Sequence, residues 1–322
     1  FQPFAWSTFV AIPVAVLAFV AVAPARERTL RVGAMLYGAG ALLAWQIETP
    51  MGSNAARIAE LFGLPLLLAV LLERKPGELR ASRLALGAAL LVPFAAWALW
   101  PTYRDIRDAT DDPSVEPGYY EPVARFLRSR AGSPGRVEVP FTKSHWESAE
   151  LADEVPLARG WQRQLDTERN PIFYDGLLNP LTYAAWLTEN GVRWVALPSA
   201  KPDRSSYGER ALIERGLPYL RLRWSNSDWR VFEVGLPHPI AVPERGADAR
   251  VVALEPASFA LDVRRPGPTI VRVRFTPYWE PEGACVEPAG AWTRVTPSRA
   301  GRVEVVARFT PARLFRRGRR CG

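Results

Sequence analysis

From Phe4 to Ala23 the chain runs 20 residues without a charge. At about 1.5 Å per helical residue, such a run covers a hydrocarbon core of roughly 30 Å. An amphipathic surface helix would return a polar residue about every 3.6 positions, and this run does not. Two further uncharged runs follow, Val32 to Ile47 with 16 residues and Leu84 to Trp100 with 17. Pro93 falls inside the latter, which a membrane helix tolerates better than a soluble one. A fourth apolar stretch, Leu61 to Leu72, reaches spanning length when extended back to Asn54, with Arg57 and Glu60 near the interface. The expectation is a membrane α-helical region over 1–100 with about four transmembrane helices, near 4–23, 32–47, 54–72 and 84–100. Gly33, Gly38 and Gly40 read as small residues that let helices pack closely.

Charge supports this division of the chain. Of 41 Lys and Arg and 33 Asp and Glu residues, only 13 fall in the first 100 positions. Arg26, Arg28 and Arg31 follow the first run, and Arg74, Lys75, Arg80 and Arg83 follow the third. Short basic loops lie on the cytoplasmic side, so everything after Trp100 is expected outside the plasma membrane. Trp6, Trp45, Trp97 and Trp100 fall at the helix ends assigned to that outer interface, as an aromatic belt would. The chain opens at Phe1 without the basic segment and cleavage site of a signal peptide, and reads as part of a longer protein. The net charge of +8 is spread along the chain, so no segment is a polyanion-binding domain and nucleic acid is not an expected partner.

A charged linker is expected at 101–116, followed by an extracytoplasmic α/β domain over 117–236. Helices are expected at Tyr119 to Ala131, Pro180 to Asn190 and Glu209 to Arg215. Strands are expected at Val137 to Pro140 and Trp194 to Leu197, with a hairpin of Leu220 to Trp224 and Trp229 to Val234. From 237 to 322 helical periodicity disappears and alternation takes over, as in Ile270 to Phe275 and Val303 to Phe309. That pattern predicts a C-terminal antiparallel β-sandwich-like domain. Cys285 and Cys321 are the only cysteines, and a disulfide between them would close a loop worth about 3–4 kcal/mol; a free pair is the alternative.

The standard catalytic signatures are missing. Two histidines, His145 and His238, provide no metal-ligand cluster, and no nucleophile elbow or phosphate loop occurs, so no cofactor is expected, with a lipid-phosphate-linked sugar donor and a divalent metal left open. Three places remain. Asn54 and Arg57 open a helix at the outer surface, where free backbone N–H groups and a guanidinium suit a lipid-linked phosphate; a plain capped helix is the competing reading. His145, Trp146 and Glu147 follow a strand, where α/β sheets place ligands. Arg159, Trp161, Arg163 and Asp166 bring aromatic faces and bidentate donors of the kind that meet sugar rings, against the alternative of a tryptophan core with polar partners.

The stretches PFTKSHWESA from Pro140 to Ala149, PLARGWQRQLD from Pro156 to Asp166, NPIFY from Asn170 to Tyr174 and GVRWVALP from Gly191 to Pro198 resemble a family of large multi-pass membrane proteins of high-GC bacteria. The stretch RVRFTPYW from Arg272 to Trp279 and the loop MGSNAAR fit as well, so the resemblance covers most of the chain from about residue 48. That family is similar in architecture to C-type membrane glycosyltransferases, which take sugar from a polyprenyl-phosphate donor and end in an extracytoplasmic domain. The resemblance implies the C-terminal part of a lipid-linked-sugar transferase of cell-envelope glycan assembly. Those enzymes keep their catalytic acid in a first outer loop that has no counterpart here. The alternative is a non-catalytic, membrane-anchored binding or structural protein that contacts the bilayer and a cell-envelope glycan.

Overall fold

The computed structural model describes residues 4–47, 51–73, 81–130, 134–237 and 239–310. The chain forms two compact units, Phe1–Asp111 and Asp112–Gly322.

The first unit is helical, with α1 (Trp6–Val22), α2 (Arg28–Gln46), α3 (Arg57–Leu72) behind a short 3-10 turn (Gly52–Ala56), and α4 (Ala81–Thr110). Apolar side chains from α1, α3 and α4 interlock around Phe19, Val22, Leu67 and Phe94. Close approach is set by Gly87, where a Cβ would lie 2.6 Å from Leu71 Cδ2, and by Gly63, 3.0 Å from the Phe94 ring. Of the glycines expected to serve this purpose, only Gly38 faces another helix, against Val16; Gly33 and Gly40 meet nothing within 4 Å. The rings of Trp6 and Trp45 lie 5.3 Å apart, so the start of α1 and the end of α2 share one end of the unit. Toward the other end, Arg26 Nη2 donates to the Glu73 carbonyl (3.2 Å).

The expectation of about four spans is corrected. Two helical segments, Gly52–Leu72 with 21 residues and Ala81–Thr110 with 30, are long and apolar enough to cross a membrane. Helix α1 is apolar but has 17 residues, because its regular bonding starts only at Trp6 and ends where Pro24 follows Ala23. Helix α2 starts earlier than its uncharged run and so includes Arg28 and Arg31. The linker expected at 101–116 is helical as far as Thr110, since Pro101 sits within α4 without ending it. The stop comes at Asp112, whose side chain accepts from the Ser114 N–H (2.9 Å) and caps the next turn.

The second unit begins with α5 (Glu121–Arg128), β1 (Arg136–Glu138), α6 (Glu147–Glu150), α7 (Arg163–Arg169), α8 (Pro180–Glu189), β2 (Val192–Pro198), α9 (Tyr207–Glu214), β3 (Leu220–Ser225) and β4 (Trp229–Val234). The four strands order as β1-β2-β4-β3, with β1 parallel to β2 and the rest antiparallel. One face is covered by α5 through Val123, Ala124 and Leu127, and the other by α8 and α9 through Tyr183, Leu187, Leu212 and Ile213. Sharp local signals hold these helices: Asn179 accepts from the Leu181 and Thr182 N–H groups in a capping box ahead of α8. Helices α6 and α7, four and seven residues long, are too short to leave a periodic signal.

The chain then turns fully to strands, β5 (Ala241–Pro243), β6 (Asp248–Glu255), β7 (Ser258–Arg265), β8 (Thr269–Arg274), β9 (Trp279–Pro281), β10 (Ala284–Ala289), β11 (Trp292–Pro297) and β12 (Gly301–Ala307). They form two antiparallel sheets, β10-β11-β8-β5 and β6-β7-β12-β9. Val271 and Val295 of one sheet meet Phe259, Leu261, Val263 and Val305 of the other in a shared core. Cys285 in β10 is disulfide-bonded. Cys321 and His238 lie outside the described residues.

Candidate functional site

Strands β1 and β2 run parallel, so the segments leaving their C-terminal ends emerge on the same edge of the sheet. They are stitched together there: Lys143 N–H donates to the Lys201 carbonyl and Asp203 N–H to the Phe141 carbonyl, both at 2.8 Å. The first segment carries His145, Trp146 and Glu147, and the second carries Asp203. The stretch from Arg159 to Asp166 packs against both through two polar networks.

The first network is sealed. Arg159 donates through Nε and Nη2 to Glu138 Oε1 (2.9 and 2.5 Å) and through Nη2 to Glu209 Oε2 (2.7 Å), with Asp166 Oδ2 3.5 Å from Nη1. All four side chains are buried. The guanidinium also lies over the Phe173 and Phe141 rings, 3.7 and 4.4 Å from their centroids. Further donors reach these carboxyl groups: Tyr183 donates to Glu209 Oε1 (2.8 Å), Asn170 to Asp166 Oδ1 (2.8 Å) and Tyr174 to Asp166 Oδ2 (2.5 Å), the oxygen that faces Arg159. Three carboxyl groups around one cation cannot all remain ionised in so dry a place. Burial, offset in part by Arg159 and reinforced by Glu209, pushes Glu138 well above the ordinary carboxylate range. Burial also raises Glu209, against the pull of Arg159.

The second network is open. His145 Nε2 lies 3.6 Å from Asp203 Oδ2, and Nδ1 lies 3.7 Å from Glu147 Oε1. Glu147 is buried and accepts from Thr142 Oγ1 (2.5 Å), whereas Asp203 takes a two-oxygen contact from Arg163 Nη2 (2.9 Å to each) and a 2.6 Å bond from Ser205 Oγ. Burial works against a charged imidazole here, but Asp203 and Glu147 outweigh it and hold the pKa up to about 9. Burial would also raise Asp203, yet His145, Arg163 and Ser205 keep it below the usual carboxylate range. The result is a fixed imidazolium at neutral pH, poorly suited to act as a base. His145 sits at φ +60°, in the left-handed region that costs a non-glycine residue about 1–2 kcal/mol. Around it the surface is aromatic: Trp161, 59% exposed, has its ring 6.3 Å from the imidazole, and Trp146, 47% exposed, is the next residue.

The expected residues thus separate into three sets. His145, Glu147, Trp161 and Arg163 come together with Trp146 beside them. Arg159 and Asp166 fall instead into the sealed network. Asn54 and Arg57 belong to the helical unit, where Arg57 is exposed at the start of α3 and no side chain caps that helix end. Asp203, Glu138 and Glu209 complete the networks and are not among the residues expected from sequence. Among the described residues no group of three or more His, Cys, Asp and Glu side chains is arranged to hold a metal. No family model, curated protein or solved structure matches the chain.

Proposed function

We propose that this chain is part of a multi-pass membrane protein of the cell envelope whose α/β layer faces the outside and binds a saccharide without acting on it. The observation that carries this reading is the open edge of the sheet. There an exposed indole stands against an imidazolium clamped by two carboxylates, on a backbone held in a strained conformation. Flat indole faces suit the apolar faces of sugar rings, and fixed charged donors suit their hydroxyls. Strain of this kind is retained where the surrounding structure over-determines it, as at ligand sites. Membrane residence is supported by Gly52–Leu72 and Ala81–Thr110 and by the outward-facing Leu61, Phe62, Val92 and Leu99, all more than half exposed, where a soluble protein would bury such residues. The multi-pass, C-terminus-outside arrangement rests on the basic segments: Arg26 reaches the end of α3, next to the second one.

The direct test is titration of the full chain in neutral detergent with soluble cell-envelope oligosaccharides, followed calorimetrically. Saturable binding, weakened at least tenfold by Trp161→Ala, is the expected result; no binding to any of them refutes the reading. Retention of the chain in membranes after alkaline washing tests the anchoring separately.

One observation favours the transferase reading: Arg57 is exposed where the 3-10 turn Gly52–Ala56 runs into α3, and its guanidinium suits the phosphate of a polyprenyl-linked sugar donor. Transfer of radiolabelled sugar by membranes carrying the protein, lost with Arg57→Ala, would replace the binding reading with an enzymatic one.

A further inference from the structure

Between the α/β layer and the β-sheets runs a cleft of about 820 Å³. Its walls include Arg136 from β1, Arg169 from the end of α7 and Arg274 from β8, together with Trp194, Trp279 and Trp292. Carboxylates line it too, but Glu154 is taken by Arg128 and Asp166 by Arg159. Among the described residues none, Asp153 and Glu255 included, lies within 4 Å of Arg136, Arg169 or Arg274. Glu189 acts on Arg274 and Arg272 only from a distance.

Two arginines at this boundary have structural work. Arg136 donates to the Asn190 and Arg272 carbonyls (2.7 and 2.5 Å), and Arg272 donates to the Pro239 carbonyl (3.0 Å) and that of Thr188. These bonds to neutral carbonyls tie the two layers together without neutralising any charge. The Arg274 guanidinium carbon lies over the Trp292 ring, 4.4 Å from its centroid, and among the described residues no side chain or carbonyl accepts from its N–H groups. The charges are felt: burial and repulsion from Arg274 and Arg272 push Arg136 down to about 10, and burial and Arg169 push Arg274 down. Gathering like charges in a recess is unfavourable unless a counter-charge arrives.

We propose that this cleft is an oxyanion site that takes a phosphate-bearing ligand. Arg274 and Arg169 supply the charged forks, Arg136 supplies the field from behind, and the tryptophans cover whatever carries the phosphate. Guanidinium planes match the tetrahedral oxygens of a phosphate, and a dianion answers a cluster of several cations better than a monocarboxylate does. The site is separate from the tryptophan edge of the sheet and stands whether or not that edge binds sugar.

The test uses the full chain in neutral-detergent micelles, so that no lipid phosphate competes, titrated calorimetrically with inorganic phosphate, glucose 1-phosphate, a short-chain phosphatidic acid and galacturonate. The expected result is saturable binding of phosphate compounds, tighter than galacturonate and weakening with added NaCl. Arg274→Gln and Arg169→Gln should each lower the affinity at least tenfold, while Arg250→Gln, on strand β6 and paired with Asp262, should leave it unchanged. Preference between glucose 1-phosphate and phosphatidic acid identifies the ligand as a sugar phosphate or a lipid headgroup, and either supports the site. Neither Arg274 nor Arg169 holds the layers together, so both variants fold. Absence of saturable phosphate binding, or equal affinity in both variants and wild type, overturns the proposal.

Discussion

Arg159 and His145 are both cations set among carboxylates, in neighbouring parts of one α/β layer and with Phe141 touching each. They differ in how they meet water. Around Arg159 every side chain is buried, the carboxyl groups outnumber the cation, and burial favours the neutral form of Glu138. Around His145 one carboxylate is buried and the other partly open, both remain available to the imidazolium, and the rim is two exposed tryptophans. The first arrangement has no surface to offer a ligand and acts as architecture. The second is built of the same residue types but ends at solvent, and that difference separates a folding element from a recognition site.

The comparison predicts unequal effects. Arg159→Ala strands three carboxyl groups in a dry interior, and loss of one partner from a buried ion pair costs about 3–5 kcal/mol. Chemical denaturation should show a loss of that size, and a loss under 1 kcal/mol would mean that water already reaches the cluster. The His145 network should respond to pH instead. Its pKa is raised on folding from 6.5 to about 9, so its stabilisation is complete below about pH 6.5 and disappears as the pH climbs through 9. Allowing for its partial exposure to solvent, the loss is about 2 kcal/mol. Asp203 has the opposite sign: its pKa is depressed on folding, so its contribution is present above about pH 4 and fades as acid is added. Denaturation midpoints measured from pH 4 to 10 should fall above neutrality in the wild type, and the Asp203→Asn protein should lose most of that dependence.

Reading the sequence alone finds the open network better than the sealed one, for a physical reason. His145, Trp146 and Glu147 follow a strand immediately, and a cluster of polar and aromatic residues after a strand is a local pattern. Asp203 joins them only because β2 runs parallel to β1, a pairing across some 55 residues that leaves no trace in spacing. Glu138 misleads more directly. Flanked by Val137 and Val139, it looks like the solvent side of an alternating strand, yet helices cover both faces of this sheet and it is fully buried. Covering on both faces is what decides it, since a charged residue buried in such a strand requires a partner. The helical unit shows the reverse limit: uncharged runs locate its helices, but hydrogen bonding decides where each begins, and α2 begins among arginines. Likewise Arg272 and Arg274 alternate with valines as solvent-facing residues should, and only the fold shows that this side of β8 faces a second layer.

The smallest expected change separates the two networks most cleanly. Glu138→Gln replaces a carboxyl group whose neutral form burial already favours with a neutral group of the same shape that still accepts from Arg159 through its oxygen. Stability should therefore shift by less than about 1 kcal/mol, the scale of one neutral hydrogen bond. The same exchange at Glu147 removes a charge facing His145, so its imidazole pKa, followed by NMR, should fall toward 6.5 and the alkaline loss of stability should begin at lower pH. If Glu138→Gln proves as damaging as Arg159→Ala, Glu138 is ionised in the folded protein, and the sealed network is held by charge rather than by a shared proton. If Glu147→Gln leaves the imidazole near 9, Asp203 alone holds the cation, and the site has one carboxylate to spare for a bound hydroxyl.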